Sequence, residues 1–476
     1  MRMSVLSSVV WVAACGGSQA RPDGDGGGVD GAGGDGAVEG PGCEAPPTFA
    51  AGLAPTRVLH VDAAAAAGGD GSVGAPLRTI GAAAAIATPG TAIRIAPGVH
   101  AADQYVADLR GTATAPIWIG GEPGQPRPSI VGGGEGLHLT RAAYVVVHDL
   151  EVTGATANGI NLDDGGDVAD ATAAHHVVVE RVYIHGIGTG GNNDCLKVSG
   201  VHDLAVYDAR FADCGAGGSG VDHVGSHRSV VARSTFEGVM ENAVQAKGGS
   251  EDVDVRDSRI RISGSRAINL GGSTGLEFFR PPLSATTPNA EARRIRAFNN
   301  AITGLGASAT PFAFVGCVDC LVAHNLVRGQ QRWHLRILQE TVTQGGYTFL
   351  PASNGRVISN VFEYDASTLA TAVNVGGGTA ADTFTFATNL WTAPAGGGAA
   401  PTLPVPETGG LYEVSSDHDG IPDDPRAPIV GSPLLSSPVA GAGAVLAEVP
   451  GTIDGICRGT TASPTTLGPL EAVSAW

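Results

Sequence analysis

The chain has 476 residues, a formal net charge of −18, 72 glycines and only 5% aromatic residues. Such an acidic balance argues against a nucleic-acid binder, which needs a basic stripe, and requires any anionic ligand to meet local Arg, Lys or a bound cation. A hydrophobic fraction of 43% with many Val/Ile/Leu triplets sets most of the chain apart from disordered sequence, so the glycines read as tight turns of an ordered repeat.

Taken in chain order, the first segment is "MRMSVLSSVVWVAAC", with one Arg, a short apolar run and then Val12-Ala13-Ala14-Cys15. It resembles the lipobox of bacterial lipoproteins, which implies cleavage before Cys15 and a lipid on its sulfur. The apolar run is too short to span a bilayer. Residues 16–46 are a Gly/Asp-rich tether unable to build a core. The expected division is therefore a signal peptide over 1–14, a lipidated cysteine and disordered tether over 15–46, and one folded domain over 47–476. An exported protein held at a bacterial membrane, outer membrane or cell surface, follows as an expectation. Beyond Cys15 stand Cys43, Cys195, Cys214, Cys317, Cys320 and Cys457. An even number in an exported chain permits three disulfides with open connectivity. Cys317 and Cys320 lack a second CxxC and a His partner, so a local disulfide is preferred to zinc.

The folded part opens with "VLHVDAAAAAGGDGSVGAPLRTIGAAAAIATPGTAIRIAPGVH". From about residue 140 one phrase then recurs, as "VVHDLEV", "VVERVYI", "AVYDARF", "VVARSTF", "DVRDSRI", "AFNNAI", "VAHNLV", "VISNVF" and "FATNLW". Its closing residues are Val152, Ile184, Phe211, Phe236, Ile260, Ile302, Val327, Phe362 and Trp391, and the closest are 24–27 positions apart. Period-2 alternation, β-branched enrichment and a following Gly predict short strands. A repeat of this length predicts a solenoid. Asn300, Asn325, Asn360 and Asn389 sit two residues before their closers, at turns where stacked Asn side chains would form a ladder.

This opening and repeat, with the tail "SPVAGAGA" and "DGICRG…LGPLE", are similar to right-handed parallel β-helix proteins of the pectate-lyase-like superfamily. The resemblance spans roughly residues 57–472. It implies an all-β chain, a right-handed single-stranded parallel β-helix with a short N-terminal capping helix. It does not by itself imply one activity, because that fold hosts lyases, hydrolases, epimerases and inert adhesins.

A second strand per coil reads "GLHLT", "GINLDDGGD", "DCLKVSG", "GVDHVGS", "NAVQAKGG" and "RAINLGG". With the apolar residues inward, the outward column is His138, Asn161, Lys197, Asp222, Gln245 or Lys247, and Asn269. Lys197 and Lys247 are the only lysines among 28 basic residues. Lys differs from Arg in being able to lose its proton. The spacing predicts the two lysines about 10 Å apart with Asp222 between them. His223, His227 and Arg266 add ionisable groups to the same stretch.

Lyases of the superfamily cleave uronate chains by β-elimination, neutralising the carboxylate and removing the C5 proton. "NDCLKVSG" resembles the Asn-Gly-x-Lys-x-Gly stretch around the base of calcium-dependent pectate lyases, although Asp194-Cys195 stands in place of the Gly. The resemblance implies Lys197 as base, with Lys247, Asp222, Arg266 and His223 around it. Asn161, Asn269, Gln245 and Arg280 are expected to bind the polysaccharide. Calcium is expected on Asp163 and Asp164 of the Asp-rich "NLDDGGD" stretch, which also offers Asp167, and on Asp194 one coil later. Set against this, Lys197–Asp222–Lys247 also reads as a salt-bridge ladder, in which carboxylates favour the charged ammonium. A non-catalytic glycan-binding or adhesion rod, a C5-epimerase, and a glycoside hydrolase using Asp194 and Asp222 stay open. The loop "STGLEFFRPP" reads as a groove wall. Arg336 falls in the outward column at a distant subsite. Asp417, Asp419 and Asp423 in "SSDHDGIPDD" form a single calcium-repeat phrase. The expected partners are a polysaccharide and, through the lipid, a membrane. A monomer is expected.

Overall fold

Short alternating strands with glycine or left-handed residues between them have one economical arrangement, in which each turn of chain stacks on the last. A computed structural model of the chain, described over residues 48–188, 190–458 and 465–474, has that architecture. Three parallel sheets of 14, 12 and 10 strands run its length, here called sheets I, II and III in the order the chain meets them. One coil illustrates the rest: Val201–Tyr207 lies in sheet I, Arg210–Ala212 in sheet II and Ser219–Val224 in sheet III. The chain then re-enters sheet I at His227–Ala232. The fold is the expected right-handed parallel β-helix. The one α-helix among the described residues, Ile80–Ala84, is capped by the Thr79 side chain, which accepts from the Ala82 N–H at 3.1 Å. Ile80 and Ala83 of this helix belong to the core at the N-terminal end.

The closing residues of the repeat form the inward column of sheet II, register-paired from Val152 to Trp391. All are buried, and the rings stack, Phe211 on Phe236 at 4.9 Å and Phe362 on Trp391 at 4.5 Å. Each such side chain contributes on the order of 1.5–3 kcal/mol of burial. The Asn ladder is present. The Oδ1 of Asn325 accepts from the backbone and side chain of Asn300, Asn360 serves Asn325 likewise, and Asn389 serves Asn360. The left-handed residue at each of these corners is the one before, Asn299, His324, Ser359 or Thr388. The ladder Asn itself supplies only the side chain. Disulfides join Cys195 to Cys214 and, as the spacing suggested, Cys317 to Cys320. The lipobox, Cys15 and the tether lie outside the described residues.

Candidate active site

Strand register decides which side chains share the outer face of sheet III. His138, Asn161, Lys197, Asp222, Gln245 and Asn269 are successive partners, followed by Ala313 and Arg336. The ambiguity between Gln245 and Lys247 is resolved: Gln245 pairs with Asp222, and Lys247 with Val224 two residues along. The lysines do not stand about 10 Å apart at their charged ends. Both side chains lean onto Asp222 from opposite coils, so that Lys197 Nζ bonds its Oδ2 and Lys247 Nζ lies 3.2 Å from the same oxygen. Lys197 Nζ is also 3.2 Å from Asp194 Oδ2. Asp194 is fixed from behind, because its Oδ1 accepts the Ser219 N–H at 2.7 Å and the next residue, Cys195, is disulfide-bonded. Lys247 Nζ completes its shell with Gln245 Oε1 at 3.3 Å.

Burial sorts this cluster into layers. Asp194 and Asp222 are fully buried, whereas the Lys197 side chain keeps 19% and Lys247 10% of its exposure. A ligand lying on sheet III would therefore touch ammonium groups, with the carboxylates beneath. Burial alone would raise the carboxyl of Asp222, but the two ammonium groups outweigh it and hold Asp222 below its ordinary range. Asp194 goes the other way. Burial and the neighbouring Asp222 charge push it up to about 7. Burial would depress Lys197, yet Asp222 and Asp194 outweigh that and raise it. Two carboxyls whose environments drive their affinities for protons apart are a recurrent arrangement for acid–base work. A third carboxyl, Glu291, is pushed to about 7 by burial and by Glu340, with Lys247 opposing. It was not foreseen, since it follows an inserted loop with no repeat phrase.

Several expected site residues lie elsewhere. His223 faces the interior, in register with the core residues Val198 and Ala246. It is fully buried without a hydrogen-bond partner among the described residues, and burial takes its imidazole down to about 4. Its neighbour Asp222 points outward, so period-2 alternation already assigned His223 to the other side. Arg266 does not join the lysines. It donates to Asn269 Oδ1 and to Glu340 Oε1, each at 3.2 Å. Arg280 is not free for sugar, because it makes a buried two-point bond to Asp164 at 2.8 and 2.7 Å. The slot it fills is cut by Gly200 and Gly225, where a Cβ would meet Arg280 atoms at 2.7 and 2.6 Å. Asp164 is thereby consumed as a metal ligand. Asp163 is bonded by His138, Thr140 and the Gly165 N–H, and Asp194 by Lys197 and Ser219. The three carboxylates do not converge, so they do not fit calcium. Asp417, Asp419 and Asp423 fare no better: no group of three His, Cys, Asp or Glu side chains among the described residues is placed to hold a metal ion. Asn161 bonds Glu135 at 3.1 Å, and Asn269 is buried behind Arg266.

A cavity of about 450 Å³ opens on sheet I and is lined in part by Arg294, Arg296 and Arg356. Each of those arginines is already paired with an acid, and none lies near the lysines. The lysine cluster stands apart from that cavity, on the outward column of sheet III.

No protein-family model matches the chain, and no curated protein sequence matches it. Solved structures do resemble it. The crystal structure of pectate lyase Pel9A is 13% identical with a TM-score of 0.52, and the match covers 89% of this chain and 98% of that one. The complex structure of XylC with xylose is 9% identical with a TM-score of 0.53, covering 88% and 98%. At these identities the likeness carries the fold alone, and the chain is a parallel β-helix.

Proposed function

We propose that the protein cleaves a uronate-containing polysaccharide laid along sheet III, by β-elimination. One observation carries the reading. The chain's only two lysines converge on a single buried carboxylate oxygen, on the outward column of one sheet, beside a carboxyl poised near neutrality. Similarity to a pectate lyase and to a protein holding xylose supports a carbohydrate on this fold. Lys247 would set its charge against the uronate carboxylate, and Lys197 would take the C5 proton.

A base must first be free of its own proton, and the cluster offers a route. When the group loses one proton near pH 7, the remainder is shared between Asp194 and Lys197. Moving it from the ammonium to Asp194 leaves a neutral amine on Lys197 and a neutral acid on Asp194, with no change in net charge. The amine then accepts the C5 proton, the C–H electron pair forms the C4–C5 double bond, and the C4–O4 bond breaks, O4 leaving with its electrons and taking a proton from water. Asp222 stays ionised and holds both nitrogens in place. The raised proton affinity of Lys197 favours a second reading, a non-catalytic glycan-binding face whose ammonium groups never deprotonate. The same proposal carries an exported protein tethered to the membrane through Cys15.

The domain from residue 47 onward, incubated with pectate, alginate, hyaluronan and chondroitin, should generate the ultraviolet absorbance of an unsaturated uronate on one of them. Loss of that signal in Lys197→Ala assigns it to this site, and a parallel reaction with chelator reads any calcium requirement. No absorbance on any of the four glycans would contradict a lyase acting on these uronate classes and leave the binding face.

A further inference from the structure

Further along the same outward column lies a second cationic group. Arg336 is reached from Lys197 through Asp222, Gln245, Asn269 and Ala313. Five coil spacings of about 4.8 Å place it roughly 24 Å away. Its guanidinium carbon lies 4.5 Å from the centre of the Trp333 ring, and that of Arg332 lies at the same distance from that ring. Arg336 Nε donates to Asn374 Oδ1 at 3.0 Å, which fixes the plane of its fork. Arg266 completes the group from two coils back, in register with Thr310.

The charges do not cancel here. Glu340 accepts from Arg266 and from the Ser273 N–H and hydroxyl, and no carboxylate among the described residues lies within ion-pair distance of Arg332 or Arg336. Burial, Arg266 and Arg332 all lower the proton affinity of Arg336, with Glu340 opposing, as expected of cations crowded together. Three arginines against one carboxylate leave a local surplus of positive charge in a chain of net charge −18. An aromatic ring between guanidinium groups keeps their forks splayed and pre-organised, a geometry suited to planar oxyanions.

We propose that Arg332, Arg336 and Trp333, with Arg266, form a distal subsite that grips a carboxylate or sulfate on the same glycan strand several sugar units from Lys197. The inference rests on the reading of sheet III as the glycan-binding face and extends it, since it makes the ligand a chain that is anionic at intervals. A single acidic sugar beside a neutral strand would not engage both clusters.

The test uses the Lys197→Arg protein, so that nothing is cleaved during titration. Calorimetry with oligogalacturonates of increasing length should show affinity rising about tenfold at the length that first spans both clusters. Chondroitin sulfate oligomers of matched length, which carry sulfate beside their carboxylates, show whether added sulfate strengthens the grip, and neutral xylo-oligomers report stacking alone. The rise should disappear when Arg332→Gln and Arg336→Gln are added and return in part with Arg336→Lys. A rise that survives both glutamines, or that neutral oligomers reproduce, overturns the subsite. So does its absence from both anionic series. A chain that yields no unsaturated uronate yet keeps the arginine-dependent rise would separate the failure of the lyase reading from that of this one.

Discussion

The corners of sheet I and the floor of sheet III use one device, a cation from one coil set on a carboxylate of another, for different ends. The pairs are Asp149–Arg181 and Asp208–Arg233 at the corners, with Asp203–Arg228 inside the strands, each a two-point bond. Every member of those pairs is a left-handed residue, so the Arg–Asp ladder rides on the turn geometry of stacked coils. These side chains are partly exposed, from 27% for Asp203 to 57% for Arg228. On sheet III the cation is Lys, the carboxylate is fully buried, and two cations share it. The contrast teaches that the preference for Arg is local. Arginine suits an exposed, planar, two-point bond, and lysine, the cation able to lose its proton, stands where the proposed chemistry needs one.

The largest expected effect concerns that proton. With Asp194 pushed to about 7, the lyase rate should rise with pH through an acid limb near 7. Asp194→Asn removes the internal acceptor and leaves Lys197 beside Asp222, whose charge raises it. The limb near 7 should then vanish and reappear displaced upward in a pH–rate profile. An unmoved limb would take Asp194 out of the chemistry.

Asp222→Asn sharpens the contrast in stability. Removing the shared charge leaves Lys247 without its carboxylate and Lys197 with Asp194 alone, both mostly buried, which should cost about 3–5 kcal/mol by denaturant unfolding. Asn360→Ala tests the neutral counterpart of these ladders. It strands the N–H of Asn325 and cuts the chain of amides from Asn300 to Asn389. A loss of about 1–3 kcal/mol is expected. Arg233→Ala at the exposed corner should cost no more than about 1 kcal/mol. A loss as large as that of Asp222→Asn would erase the distinction between the two regions.

Much of this was legible before any coordinates. The apolar closers at 24–27 residue spacing gave the coil, and alternation within "DCLKVSG" and "GVDHVGS" put Lys197 and Asp222 on one face. The same alternation excluded His223, and there the pull of an ionisable residue beside Asp222 outweighed the pattern. What stayed hidden involves long side chains and distant segments. Arg280 finds Asp164 across 116 positions, a pairing that no local period encodes. Convergence of two lysines on one oxygen depends on side-chain lean rather than register, and Glu291 enters from an insertion between coils.

The central claim is that Lys197 deprotonates, and Lys197→Arg tests it most directly. Arginine keeps the charge beside Asp222 and Asp194, so the fold and any glycan binding should persist, but guanidinium does not give up its proton. The ultraviolet signal of the unsaturated uronate, read at pH 8 on the glycan that the wild type cleaves, should drop to background in a protein of unchanged melting temperature. A Lys197→Arg protein that cleaves as fast as the wild type would contradict the account and make the cluster a structural ladder.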